Sequence, residues 1–202
     1  MAEAVALRAA AEGLPVVIVN PTTVLGAGDR RPTPTGTIVL HFINGRMKAC
    51  ADTVLDVVDV DDVAEGHVLA LERGRVGARY VLGGESLPML EVTQLLSELT
   101  GIPGPRFVIP ARAILWLGRL CELWADRVTH RPPLVDVESA LHARVNAAFH
   151  SDLAQKELGY RPSEARPTLA KAAAWFVRHG YCDERWRRRI EAHGALREWL
   201  AA

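Results

Sequence analysis

Few residues in this sequence stand at spacings that support chemistry. Asp59, Asp61 and Asp62 form the one carboxylate cluster, and paired acids can do acid/base work when one is forced to hold its proton. The same place, where a strand ends and a helix begins, also suits acidic caps, because the helix dipole stabilises such charges by about 0.3 to 1 kcal/mol. The capping role is the stronger expectation: Asp62 caps, and Glu65 returns the bond as a capping box. Proton transfer through a phenol would want a Tyr followed four residues later by Lys, since the ammonium lowers the phenol's pKa. Tyr80, Tyr160 and Tyr181 are followed at that spacing by Gly84, Glu164 and Arg185.

Other chemistries fare no better. Ser86 lies in GESLP, which departs from the G-x-S-x-G nucleophile turn at its last position, with no oxyanion-type glycine run nearby. Glu138 and His142 share a helix face but lack a third ligand, so a surface pair is expected and no metal site. Cys50, Cys121 and Cys182 are odd in number and far apart. They suggest neither a disulfide framework nor a zinc knuckle, and a reducing cytoplasm fits them. No G-x-G-x-x-G follows a strand, so no helix N-terminus is built to receive a pyrophosphate.

One segment remains, LPVVIVNPTTVLGAGD over residues 14–29. Val16, Val17, Ile18 and Val19 run without alternation, which predicts a strand buried on both faces of a parallel sheet. Ligands of such sheets bind beyond the carboxyl ends of the strands, where Asn20, Pro21, Thr22 and Thr23 stand.

The elements that must position this loop follow in an α, β, α, β, α, β order. A helix tail over residues 2–12 ends at Gly13, and a helix is expected over 37–44, closed by Gly45. Strands are expected over 54–58 and 79–82, with a helix between them and a turn at Gly83 and Gly84. Beyond residue 86 helices dominate: 89–100, 111–126, 135–145, 152–159, 168–179 and 183–200, with a short extended piece over 107–109. The balance of 24 basic and 24 acidic residues over 202, with 49% hydrophobic residues, describes a globular chain without the basic excess of nucleic-acid binding. The longest apolar stretch, residues 111–124, is interrupted by charges and falls short of a membrane span.

Three segments together resemble the C-terminal part of the extended short-chain dehydrogenase/reductase family, its NAD-dependent epimerase/dehydratase group. They are VVIVNPTTVLGAGD, DVVDVDDVAEGHVLALERGRVGARYVLGGE, and ELGYRP with KAAAWFVRHGY. GAGDRRPTPTG and NGRM are similar, more narrowly, to hopanoid-associated sugar epimerases and dihydroflavonol-reductase-like proteins. The resemblance implies an α/β fold: a partial doubly wound, Rossmann-type parallel sheet lacking its N-terminal strands, with a mostly helical C-terminal substrate domain. Its expected divisions are residues 1–85 (remainder of the NAD(P)-binding domain, interleaved with substrate-domain elements), 86–182 (substrate domain) and 183–202 (a charged helix).

The same resemblance implies NAD or NADP as cofactor and hydride transfer on a nucleotide-sugar or related carbonyl or hydroxyl substrate. Carried over by position, Pro21, Thr22, Thr23 and Val24 fall beside the cofactor, and Asn20, Gly26, Asp29 and Arg46 toward the substrate. The Gly-rich first turn and the Tyr-x-x-x-Lys of the family have no counterpart here, so no residue is assigned a catalytic role. A truncated reading frame is therefore expected, and this chain alone is expected to be inactive, poorly packed and weak in cofactor binding. The full-length parent is expected to be cytoplasmic, a possible homodimer, with a small-molecule sugar-type substrate, no nucleic acid and no membrane span. The alternative is a non-catalytic partner or scaffold subunit that needs a second chain.

Overall fold

The computed structural model describes residues 2–110, 113 and 149–201. The expected helices over 111–126 and 135–145, with Cys121 and the Glu138 and His142 pair, lie outside the described residues. The element order is α1 (Ala2–Ala11), β1 (Ile18–Pro21), β2 (Thr23–Leu25), α2 (Pro34–Ile43), β3 (Ala49–Ala51), β4 (Val54–Asp59), α3 (Val60–Arg73), β5 (Arg79–Leu82) and β6 (Glu85–Pro88). It continues with α4 (Met89–Thr100), β7 (Phe107–Ile109), α5 (Asp152–Leu158), α6 (Ala165–Arg178), α7 (Glu184–His193) and α8 (Arg197–Ala201). No helix among the described residues is long and apolar enough to cross a membrane.

Two extended runs organise the molecule. The first passes from β1 through Thr22 into β2, and the second from β5 through Gly83 and Gly84 into β6. Each run changes sheet at its seam: β1 pairs in parallel with β5, while β2 pairs in parallel and β6 antiparallel with β4. A third parallel pair, β3 with β7, stands apart. Gly84 must be glycine, because a Cβ there would strike the Val57 carbonyl.

Helix α6 is the centre of the larger core. Its AKAAAWFV stretch has no polar face beyond Lys171, and ten of its fourteen residues are buried, as expected for a helix surrounded by other elements. Phe42, Ile43, Val57, Leu96, Leu169 and Phe176 pack in this core at 1% exposure or less. A smaller cluster joins Val58, Tyr80, Leu82, Leu158 and Tyr160, with Val17 and Val19 only partly buried against it. There Tyr80 donates to Glu157 at 2.6 Å, and Glu157 is held in turn by both ends of the Arg75 guanidinium at 2.9 Å. That bond ties α5 to the first sheet.

Several expectations are corrected. The strand expected to be buried on both faces starts two residues later, at Ile18, and is half-buried, because among the described residues it has β5 as a partner on one edge. Asp59, not Asp62, caps α3 through the Asp61 amide at 2.9 Å; Asp62 instead accepts from the Ser163 amide at 2.6 Å. Helix α6 begins at Ala165, since Pro167 is tolerated in a first turn, and Thr168 bonds back to the Glu164 carbonyl. Gly194 divides the last helix in two, taking the left-handed φ of 81° that ends α7.

Candidate functional site

Because β2 and β4 are parallel, with Leu25 opposite Asp59, the loop after β2 and the start of α3 emerge on the same edge. A cavity of about 250 Å³ lies there, in the crevice that parallel strands leave at their carboxyl ends. Its walls come from four elements: Val24 and Leu25 of β2 with the loop to Asp29, Thr35 and Gly36 of α2, Val60 of α3, and Ala172 and Phe176 of α6. Gly26 closes the angle between the first and third: its φ is 150°, and a Cβ would lie 2.5 Å from Val60 Cγ1.

Polar bonds hold the loop against the helix. The Asp29 carboxylate accepts from the Thr33 amide at 3.0 and 3.1 Å and from its hydroxyl at 3.0 Å, while Thr33 itself caps α2 by accepting from the Gly36 amide at 3.1 Å. Thr35 Oγ1 donates to the Val24 carbonyl at 3.0 Å. Tyr181 donates to the Arg30 carbonyl at 2.7 Å, anchoring the far side of the loop to the segment after α6.

Of the residues singled out from the sequence, Val24, Gly26 and Asp29 meet at this cavity. Thr22 and Thr23 lie at the seam beside it. Thr22 Oγ1 donates to Asp56 Oδ1 at 2.7 Å, and Thr23 sits opposite Val57. Pro21 is exposed at the end of β1. Asn20 turns toward α1 and donates to Glu3 at 2.8 Å. Arg46 is not among the lining residues and pairs with Asp183 at 3.3 Å on the surface.

Asp56 was not singled out from the sequence. It is 3% exposed and gathers Thr22 Oγ1, the Gly84 amide at 2.8 Å and Ser86 Oγ at 2.5 Å. One carboxylate thus fixes both seams, next to the loop that walls the cavity. The signal for it was an acid inside the apolar run VLDVV, a position a strand core leaves polar only when the group is bonded. Phe176 and Val60 reach the cavity from remote segments and carry no local signal.

The electrostatics at this edge are negative. Asp59 and Asp61 share Lys171 at 2.8 Å each. Burial pulls the Lys171 ammonium down, but its bonds to Asp59 and Asp61 outweigh that and its pKa stays raised. A phosphate group brought to either helix would therefore meet a carboxylate already bonded there: Asp29 to the Thr33 cap of α2 and Asp59 to the Asp61 amide of α3. At about 5 Å and an effective dielectric of about 20, each such pair of like charges costs about 3 kcal/mol. The described lining of the cavity is mostly apolar, with Val24, Val60 and Phe176 in it and Asp29 as its charged member.

The chain is similar to known proteins in both sequence and structure. Residues 1–83 match the NAD dependent epimerase/dehydratase family. A putative dihydroflavonol 4-reductase of Synechocystis sp. is 38% identical over 188 residues, covering 89% of this chain and 53% of that protein. The crystal structure of gox2253 superposes with a TM-score of 0.76 at 39% identity, over 90% of this chain and 55% of that one. PA4631, a nucleoside-diphosphate-sugar epimerase from Pseudomonas aeruginosa, superposes with a TM-score of 0.74 at 32% identity, over 90% and 54%. The chain spans about half the length of the curated relatives it matches.

Proposed function

We propose, for a chain that belongs through residues 1–83 to the NAD dependent epimerase/dehydratase family, that it supplies the substrate-side half of an NAD(P)-dependent epimerase, dehydratase or reductase. The observation that carries this is the cavity itself: strand ends from the parallel sheet and helix α6 enclose one space. The substrate class is a nucleotide sugar or a related compound with a carbonyl or hydroxyl carbon, the group that a nicotinamide oxidises or reduces. In this proposal Gly26 and Asp29 face the substrate, and Pro21, Thr22, Thr23 and Val24 stand on the cofactor side, with Thr22 held by Asp56. Residues 1–85 form the cofactor-domain remainder, 86–182 the substrate domain and 183–202 a charged C-terminal segment.

These residues contain neither a Gly-rich phosphate turn nor Tyr-x-x-x-Lys, so by themselves they transfer no hydride. A second chain or segment bearing both is required. The half-buried edge of β1 supports that requirement, because a parallel strand is stable when covered on both sides. The test is co-expression with the first half of the Synechocystis relative, following NADPH absorbance on addition of a dihydroflavonol, and following product formation by chromatography on addition of a nucleotide sugar with NAD, because epimerases and dehydratases return the hydride within one turnover. Turnover by the pair and none by either half supports the proposal. A stable pair without turnover favours a scaffold role, and turnover by this chain alone overturns the need for a partner.

A further inference from the structure

We infer that one end of the molecule, where the C-terminus of α4, the start of the paired strands β3 and β7 and the first turns of α7 meet, docks on an anionic lipid bilayer. Along the sequence of α7 its glutamates interleave with its arginines and promise a neutral surface. The fold separates them. Glu184 takes Arg187 and Arg188, and Glu191 takes Arg187 again, so the acids neutralise one side of the helix. Arg185 and Arg189, four residues apart and therefore neighbours on another side, are exposed and have no carboxylate partner among the described residues. The Trp186 ring covers Gly45, where a Cβ would strike it, and Arg185 stacks on that ring at 5.2 Å from its centroid. Arg46 follows Gly45 and reaches Asp183, just before α7, at 3.3 Å.

Arg189 Nε donates to the Gly101 carbonyl at the end of α4 at 2.8 Å. A few residues on, the Arg106 amide donates to the Lys48 carbonyl at 3.1 Å, which sets Lys48 and Arg106 side by side before β3 and β7. Arg46, Lys48, Arg106, Arg185 and Arg189 are all exposed. Of the carboxylates on these elements, Asp183 and Glu98 are taken by Arg46 and Arg166, while Asp52 and Glu91 stand at the opposite ends of β3 and α4. Beside Arg106, Phe107 and Val108 are 68% and 45% exposed, on a strand whose partner among the described residues is β3. An acidic protein segment would answer the cations only. A bilayer of acidic phospholipids answers both features: guanidinium groups pair with phosphates in a fork geometry, and an aromatic side chain gains by entering the interfacial zone beside them. Because the whole chain is formally neutral, the attraction is confined to this end and falls off within a Debye length, about 8 Å at physiological salt.

The test is flotation of the full chain with vesicles of phosphatidylcholine, alone or mixed with an equal amount of phosphatidylglycerol. The expected result is binding to the mixed vesicles at least tenfold tighter than to phosphatidylcholine, and lost at about 1 M salt, where the screening length shrinks to about 3 Å. Two charge reversals on different elements, R185E/R189E and K48E/R106E, are each expected to weaken binding at least tenfold, and F107S severalfold. R8E/R161E, the same change of charge at exposed positions outside the patch, is expected to leave it within twofold. Far-ultraviolet circular dichroism and thermal melting check that each variant folds like the parent. Binding that neither patch reversal alters overturns the inference, as does an equal loss in R8E/R161E, which would mean attraction by net charge. Equal binding to both kinds of vesicle, or to neither, overturns it too. Capture by soluble poly-glutamate without flotation overturns the bilayer and assigns the surface to an acidic protein.

Discussion

The layer around β4 and α6 and the layer around β1 and α1 are built from similar residues, yet their burial differs sharply. In β4 the four residues from Asp56 to Asp59 are all buried; in β1 none is, and α1 buries no residue at all. Val5, Leu7 and Leu14 remain 69%, 46% and 56% exposed. The difference is one of neighbours. Strand β4 has β2 on one edge, β6 on the other and α6 across its face, while β1 has β5 alone among the described residues. A run of β-branched residues announces a strand that prefers burial, but topology decides whether burial is achieved. The unsatisfied edge of β1 is also a template for another strand, which is why the co-expression experiment is aimed there.

The contrast is broken or confirmed most directly by truncating one side chain in each layer. Phe176, fully buried between α2, β4 and the cavity, is expected to cost about 3 to 5 kcal/mol as F176A. Leu7→Ala on the exposed face of α1 is expected to stay within about 0.5 kcal/mol. Urea denaturation of the two variants measures both, and equal losses would show that α1 is packed in solution. The next largest effect tests the joint between the layers. Asp56→Ala leaves Thr22, Gly84 and Ser86 without their shared acceptor and is expected to cost about 2 to 4 kcal/mol, with D56N losing roughly half as much because one oxygen still accepts. If D56A melts like the parent protein, the seam is not a fixed element.

The fold was legible wherever the local signal and the tertiary outcome coincide. β5, α4 and β7 fall where apolar runs meet Gly, and Gly101 and Gly159 end their helices in the left-handed conformation. The antiparallel strand β6 was not read, because ESLP has no alternation and owes its pairing to the Gly83 and Gly84 turn and to β4. The site was legible in part: Val24, Gly26 and Asp29 come from one continuous segment, so a loop argument finds them. Phe176 and Val60 join that segment only through the packing of α6 and α3, and Thr33 looked like part of a loop until it capped α2. Arg46 shows the reverse case, a residue near the loop in sequence whose side chain pairs with Asp183.

Alkaline pH should separate the layers again. The Cys182 thiol, 8% exposed in the larger core, is pushed up from 9.0 to about 11, first by burial and then by the Asp183 carboxylate. A raised pKa favours the protonated thiol in the folded state. Its stabilisation is complete below about pH 9 and is lost as pH rises toward 11, amounting to about 2 to 3 kcal/mol. Stability measured by denaturant titration at pH 8 and pH 11 should fall accordingly, and Cys182→Ala should remove that part of the decline. The exposed α1 layer holds no such thiol, so a decline unchanged in C182A would place the alkaline sensitivity elsewhere, with the buried Tyr160 hydroxyl as the next group to test.

The smallest expected effect lies at the surface of α7, where neither layer's packing is involved. Glu184 stands in the first turn, where the helix dipole favours a carboxylate, and it pairs with Arg187 at 2.9 Å and Arg188 at 2.8 Å. The Arg187 and then the Arg188 bonds lower its pKa from 4.5 to about 2. A lowered pKa stabilises the fold above pH 4.5, and that contribution fades as pH falls toward 2. Both partners are well exposed, so water and salt screen the attraction. Glu184→Gln should leave the neutral-pH melting temperature nearly unchanged, flatten the acid limb of the stability profile slightly at low salt, and show no difference from the parent at about 1 M salt. A large loss at neutral pH would mean that α7 contributes to the core through more than Ile190 and the contact of Trp186 with Gly45.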